Sequence, residues 1–416
     1  MESLRIEGGP PLEGSVEIDG AKNAALPACV ASLLTDDPIV LHRVPCLRDV
    51  STILYTLGSL GKCVVRSDES VSIRGSGELS IEANAYSVRQ MRASFLVLGP
   101  LVARRGRAIV PLPGGCAIGR RPVDLHLRGL EALGARVIEQ GGVVTVEADR
   151  LRGARIALPF PSVGATEQIL LTACLADGET RIDNAAIEPE IVDLVGLLRR
   201  MGAEIELDGR TMHIVGRSRL AGAEHTLIPD RMEAGTFLIA GAITGGRVDV
   251  GPAKIGHLRP ILDVLEQAGA TLTETVGGLT VTAADRWRPV SATTGPHPGF
   301  PTDLHPPLVA LLSLVPGSSC VRETVFEERF AYVRSLCAMG ARIDKRDSEL
   351  RIDGVPALRG AEVEAPDIRA GAALILAGLA AQGLTTVSHM NHVDRGYHRI
   401  EEKLTRIGAT IERIET

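Results

Sequence analysis

Apolar residues recur along this chain at i, i+3, i+4 and i+7 in short stretches, each halted by a glycine and followed by two β-branched runs around a polar turn. That pattern predicts an amphipathic helix, a left-handed stop and a β-hairpin. It is written at 53–75, 127–148, 194–216, 261–283 and 333–354, and in truncated form at 400–415. The stops are Gly61, Gly134, Gly202, Gly269, Gly340 and Gly408, roughly 70 residues apart, too long an interval for a solenoid and about right for a small supersecondary unit. Ala-rich segments such as 173–187, 240–253 and 377–390 lie ahead of these phrases, each running into a turn and a β-branched strand. The stretch Arg369–Ala381 is apolar nearly all round, so its helix belongs inside, with sheets packed outside it. The expected architecture is α+β (α/β): six copies of helix, strand, helix, strand, strand in cyclic order, three to a domain, with helices buried inside sheets.

Length agrees with two cores, since 416 residues are too many for one. Aromatics make up only 3%, so Ala, Val, Leu and Ile must fill the cores. A net charge of -6 with both signs interspersed favours neither a nucleic-acid backbone nor a membrane surface as partner. Seven cysteines without a CxxC pair read as free thiols of a reducing compartment. The N-terminus has neither a basic nor an apolar leader region, and no stretch holds the roughly 18 uninterrupted apolar residues of a membrane span. A cytoplasmic location is expected.

The candidate chemistry is concentrated in a few places. Cys116 stands in a loop made turn-rich by Pro111, Pro113, Gly114, Gly115 and Gly119, with Arg120 and Arg121 close behind. Nearby cations lower a thiol pKa and favour the thiolate, whereas Cys29, Cys174 and Cys337 on apolar helices read as small, buried and inert. Lys22 and Asn23 open an Ala-rich helix just after a glycine, where free backbone N–H groups and a lysine make an anion site, although a solvated first-turn lysine is the plainer alternative. Arg92, Arg369 and Arg395 interrupt apolar or turn segments, a setting in which arginine binds a carboxylate or phosphate or pairs with an acid. Asp303 follows three prolines; it reads either as a helix cap or as a carboxylate fixed to act as general base.

These residues match a known family. Gly114 to Gly119 with Arg121-Pro122-Val123-Asp124-Leu125-His126 resembles the active-site loop of the bacterial UDP-N-acetylglucosamine 1-carboxyvinyltransferases. So do Lys22-Asn23, Met91 to Ser94, Ser162 to Thr166, Glu188 to Asp193, Pro229-Asp230-Arg231, Pro301-Thr302-Asp303, Phe326-Glu327, Asp367-Ile368-Arg369 and Asp394 to Tyr397. The resemblance covers nearly the whole chain. It implies a two-domain inside-out α/β barrel, with residues 22–229 as one domain carrying Cys116 and residues 1–21 with 230–416 as the other, crossing over near Lys22 and Asp230.

It also implies transfer of the enolpyruvyl group of phosphoenolpyruvate to the 3-hydroxyl of the glucosamine of UDP-N-acetylglucosamine. That is the first committed step of peptidoglycan synthesis and the target of fosfomycin. Lys22, Arg121 and Arg395 would hold the phosphate and carboxylate of phosphoenolpyruvate, with Arg92 and Arg369 nearby. Cys116 would be the general acid or form a phospholactoyl adduct, and Asp303 would orient or deprotonate the hydroxyl. Asn23, Pro122, Val123, Asp124, Leu125, Ser162, Val163 and Val325 would grip the nucleotide sugar. Binding of that sugar would draw the domains together and order the loop from Pro111 to Arg121. No metal or other cofactor is implied, and the chain would be a monomer or weak homo-oligomer. Two departures stand out: Phe160-Pro161 where many members carry a lysine, and Leu304-His305-Pro306-Pro307 where many read Gln-Ala-Gln. Both border the expected nucleotide-sugar site. They leave room for a paralogue with another nucleotide acceptor and, more remotely, for a non-enzymatic sensor or a shikimate 3-phosphate enzyme.

Overall fold

The computed structural model describes residues 2–114 and 122–415. The chain divides into two compact units: the residues through Asp19 together with those from Pro229 onward, and the described residues of Gly20–Ile228. Gly20 and Ala21 therefore go with the inner stretch and Pro229 with the terminal one, a slight displacement from crossovers at Lys22 and Asp230. Each unit has its own hydrophobic core.

The cores are built on largely buried helices. In the Gly20–Ile228 unit these are α1 (Lys22–Ala31), α2 (Leu98–Arg105) and α3 (Val163–Ala173). The terminal unit has α4 (Arg231–Ile243), α5 (His305–Leu312) and α6 (Ile368–Ala380). Every residue of α4 and α5 is buried, as expected of helices without a polar face. Small side chains let these helices approach closely: a Cβ on Gly371 of α6 would stand 2.4 Å from Val393 Cγ2 and 2.9 Å from Ala365 Cβ.

A second set of helices is amphipathic and lies further out, as in Arg48–Ser59, Pro189–Arg200 and Ile255–Ala268. The six glycine stops all adopt positive φ, between 92° at Gly134 and 114° at Gly269, where a residue with a Cβ is strained. Hairpins follow them, for example Lys62–Ser67 with Ser70–Gly75 and Arg342–Arg346 with Glu349–Asp353.

Among the described residues the strands form six sheets, three in each unit, five of them four-stranded and one three-stranded. In a four-stranded sheet an antiparallel hairpin is extended by a third strand that pairs in parallel with a fourth, as in Ser291–Thr293 beside Ser318–Arg322. The truncated last copy is completed by the start of the chain: Glu2–Glu7 pairs antiparallel with both Thr410–Glu415 and Leu384–Ser388. Leu4 and Ile6 point inward and are fully buried, fixing the register by strand alternation. Among the described residues no helix is long and apolar enough to cross a membrane.

Candidate active site

In the Gly20–Ile228 unit, Lys22 opens α1 and is buried, not solvated; its Nζ lies 3.1 Å from Asp49 Oδ2 on the adjoining amphipathic helix. Asn23 beside it is half-buried. An ammonium and a carboxylate withdrawn from water this far must be paired, and both sit at helix N-terminal turns. Arg92 donates from Nη2 to the carbonyl of Pro122 at 2.8 Å. Two separately expected positions thus meet, at the entry to the helix Asp124–Ala132 whose flanking residues are Val123, Asp124 and Leu125. Ser162 caps α3 by accepting from Ala165 N at 3.4 Å, and Val163 is the first helical residue. Phe160 is 41% exposed, so the side chain at the first departure faces solvent.

Three acids of this unit escaped the sequence reading as chemistry. Glu167 in α3 is buried, and its pKa is raised by that burial and by the neighbouring Glu190 and Glu188. The latter two stand on the Glu188-Pro189-Glu190 turn that starts the helix Pro189–Arg200.

In the terminal unit the densest polar cluster centres on Asp303. Arg329 Nη1 donates to Asp303 Oδ1 at 2.7 Å and Arg369 Nε to Oδ2 at 3.0 Å. Both guanidiniums are buried, while the carboxylate side chain is 24% exposed. Arg329 Nε and Arg369 Nη1 are buried with no hydrogen-bond partner among the described residues, which gives the cluster unspent donors for an anion. Burial opposes the Arg369 charge, but Tyr397, Asp303 and Asp230 outweigh it and raise its pKa. The guanidinium lies 5.3 Å from the centroid of the Tyr397 ring, and the Tyr397 hydroxyl is 2.8 Å from Thr236 Oγ1.

Asp303 does not cap a helix. It lies in the short 3-10 turn Thr302–Leu304, and neither that turn nor α5 takes a side-chain cap. Thr302 Oγ1 accepts from Arg329 at 3.0 Å and donates to Glu323 Oε2 at 2.7 Å. Glu323 Oε1 accepts from Thr294 Oγ1 at 2.8 Å and from the backbone of Val325 and Phe326 at 2.7 and 3.1 Å. His305, Pro306 and Pro307 of the second departure are core residues at the start of α5 and do not face solvent. His305 Nδ1 lies 3.3 Å from Glu323 Oε2.

Arg395 is half-buried in the turn after Met390–Val393. The preceding Asp394 is gripped by Arg413 through bonds of 2.8 and 3.0 Å, and Arg413 also holds Glu401. Cys116 and Arg121 lie outside the described residues. Of the other thiols, Cys29 and Cys174 are buried and pushed up to about 12 by that burial. Cys337 is exposed, which corrects its reading as a buried residue: it is on a short helix with only Leu336 buried. Among the described residues no group of three His, Cys, Asp or Glu could hold a metal ion.

Arg329 and Glu323 were not foreseen. Arg329 stands between Phe326 and Phe330, and its Cζ is 5.1 Å from the Phe326 ring centroid; a charge within an aromatic-flanked segment was the available signal. Glu323 follows a strand as any surface acid would, and nothing in the sequence marked it.

The chain is similar to known proteins over its length. The model of the family "EPSP synthase (3-phosphoshikimate 1-carboxyvinyltransferase)" matches residues 6–404. UDP-N-acetylglucosamine 1-carboxyvinyltransferase 2 of Carboxydothermus hydrogenoformans is 50% identical, with 100% of both chains covered. UDP-N-acetylglucosamine 1-carboxyvinyltransferase of Acidiphilium cryptum is 49% identical, again over 100% of both. Among solved structures, the enolpyruvyl transferase NikO from Streptomyces tendae superposes with a TM-score of 0.91 at 27% identity, covering 100% of this chain and 99% of that one. EPSP synthase from Acinetobacter baumannii has the same fold, with a TM-score of 0.80 at 20% identity over 100% of both chains.

Proposed function

The chain belongs to the UDP-N-acetylglucosamine 1-carboxyvinyltransferase family, within the wider EPSP synthase (3-phosphoshikimate 1-carboxyvinyltransferase) family, and we propose that it transfers the enolpyruvyl group of phosphoenolpyruvate to the 3-hydroxyl of the glucosamine of UDP-N-acetylglucosamine. The observation that carries this reading is the Asp303 carboxylate held by two buried arginines that keep further N–H donors unspent. A base for a hydroxyl and donors for an anionic co-substrate are thereby side by side.

The reaction has two stages. In the addition, Asp303 takes the proton of the acceptor hydroxyl as its oxygen attacks C2 of phosphoenolpyruvate, and Cys116 delivers a proton to C3. In the alternative role of Cys116, its sulfur adds at C2, the carbon the acceptor oxygen attacks, while C3 takes a proton to become the methyl of the phospholactoyl adduct. In the elimination, a methyl proton leaves and phosphate departs, restoring the carbon–carbon double bond as an enol ether. Charge stays high throughout, so fixed cations dominate the stabilisation. Lys22, Arg121 and Arg395 are assigned to the phosphate and carboxylate, with Arg92 and Arg369 as further contacts. Asn23, Pro122, Val123, Asp124, Leu125, Ser162, Val163 and Val325 are assigned to the nucleotide sugar. The product places the enzyme at the first committed step of peptidoglycan synthesis, in the cytoplasm, and the reading makes fosfomycin an inhibitor. The domain assignment, 22–229 and 1–21 with 230–416, belongs to the same proposal.

Phosphate release from phosphoenolpyruvate across a panel of nucleotide and nucleotide-sugar acceptors tests it. Turnover with UDP-N-acetylglucosamine is expected; turnover only with another nucleotide gives the paralogue, and none with any acceptor overturns the enzyme reading. Because Phe160 is exposed, a lysine there adds a solvent-screened contact of under about 1 kcal/mol. Phe160→Lys should therefore lower the KM for the sugar nucleotide up to several-fold and leave kcat unchanged.

A further inference from the structure

Glu323 is remote from solvent, with a side chain of 0% exposure, yet it accepts hydrogen bonds from four donors. Its Oε1 takes the Thr294 hydroxyl and the Val325 and Phe326 amides; its Oε2 takes the Thr302 hydroxyl and faces His305 Nδ1. Those donors belong to three separate segments. One bears Asp303, and another bears Val325. Thr302, on receiving Arg329 Nη1 at 3.0 Å, extends the connection to the guanidinium that grips Asp303 Oδ1.

His305 completes the arrangement from behind. Its ring is fully buried, edge-on to Phe330 and Tyr332 with centroids 5.6 and 5.8 Å away, and its Nε2 is 3.2 Å from the Tyr332 hydroxyl. The ring cannot swing out of this slot without opening the core, so Nδ1 stays 3.3 Å from Glu323 Oε2, beside it but outside hydrogen-bond geometry.

We infer that Glu323, backed by His305, is a positioning residue that sets the Asp303 carboxylate and the Val325 backbone in one fixed relation to the acceptor sugar. This rests on the proposed function for Asp303 and Val325 and deepens it. Glu323 touches no reacting atom; it acts through Thr302 and Arg329 on one side and through the backbone amides on the other. A carboxylate suits this place because the Thr294 and Thr302 hydroxyls and the Val325 and Phe326 amides all donate to it, and an amide with its N–H groups toward Val325 and Phe326 would face donors, while one with them toward Thr302 would reverse the hydroxyl that donates there. A base displaced by about an ångström loses rate far out of proportion to the movement.

The test is a set of variants assayed by phosphate release and by calorimetric binding of UDP-N-acetylglucosamine. Glu323→Gln should lower kcat at least tenfold and raise the acceptor KM several-fold. Thr302→Val removes the hydroxyl that joins Glu323 to Arg329 but leaves the Val325 and Phe326 amides on Glu323, so it should lower kcat while leaving the acceptor KM and its calorimetric Kd within twofold of wild type. His305→Gln keeps a polar side chain facing Glu323 and should retain most activity, whereas His305→Leu should behave like Glu323→Gln. Variants that unfold at lower denaturant yet keep wild-type kcat and KM per folded molecule would reduce Glu323 to a structural residue and overturn the inference. If wild type turns over only another acceptor, the same ratios are read with that acceptor. If wild type is silent with all of them, the proposed function fails, and a crystal structure of Glu323→Gln decides the inference: an Asp303 carboxylate unmoved from its wild-type position would sink it.

Discussion

Glu323 keeps its charge against burial. Burial raises its pKa, but His305, Thr302 and the Val325 amide more than offset this and hold it at about 2, well below the usual 4.5. A group whose folded pKa is depressed contributes stability that is full above its unfolded pKa and is lost as pH falls through the folded one. The difference from 4.5 to about 2 corresponds to about 3 kcal/mol. Chemical denaturation of wild type and Glu323→Gln should show a stability gap that is widest above about pH 5 and closes by roughly that amount as pH approaches about 2; a gap independent of pH would contradict the assignment. The cysteines give a second residue-scale prediction. Burial holds the Cys29 and Cys174 thiols protonated, while Cys46 and Cys337 are exposed but are not set between paired glycines and paired arginines as Cys116 is by Gly114-Gly115 and Arg120-Arg121. Fosfomycin, an anionic epoxide, should therefore label Cys116 ahead of the exposed pair, read by peptide mass spectrometry; label on Cys337 or Cys46 would remove the case for an activated thiolate. Sequence made Asp303, Arg369 and Lys22 legible because each breaks a local pattern. It left Arg329 and Glu323 hidden because their meaning lies in partners 26 and 21 positions away.

At the scale of elements, the helix stops were legible because a left-handed residue has a local chemical signature, and all six glycines adopt it. The close approach of helices is not local and could not be read. Gly371 lies one turn beyond the Asp367 cap of α6, which accepts from Arg369 N and Ala370 N. A Cβ there would meet Val393, two residues before Arg395, and Ala365, whose own Cβ cannot rotate away. Gly396 is packed in the same way, its Cβ position 2.4 Å from Ile368 Cγ2. These two glycines are what allow the element bearing Arg369 and the turn bearing Arg395 to touch. Gly371→Ala gains up to about 1 kcal/mol of helix propensity but overpacks a rigid contact at about 1–3 kcal/mol. Overpacking wins. A net loss of about 1 kcal/mol or more in urea unfolding is expected, with a fall in kcat because the two arginines are forced apart; a variant as stable and as active as wild type would show that the contact has room to give.

Two separate cores, one linking each set of inner helices to its sheets, make each unit a folding candidate in its own right. The points where the chain passes between units support this. Ala21 N donates to Ile228 O at 2.8 Å within the Gly20–Ile228 unit, so the two ends left by excision are already paired with each other. The strand Ala223–Thr226 pairs in parallel with Ile39–His42, so excision also leaves every sheet of that unit whole. Expressed alone, residues 20–228 should give the circular dichroism of a mixed α/β protein and a single cooperative urea transition, since among the described residues every member of that core lies within 20–228. It should release no phosphate from phosphoenolpyruvate with any acceptor, because Asp303, Arg329, Arg369 and Arg395 are all carried by the other unit. A non-cooperative, aggregating fragment would mean that the core of this unit is not self-sufficient. Measurable turnover by it would mean that the base and cations have been assigned to the wrong residues, and that the cluster around Asp303 serves some purpose other than the reaction.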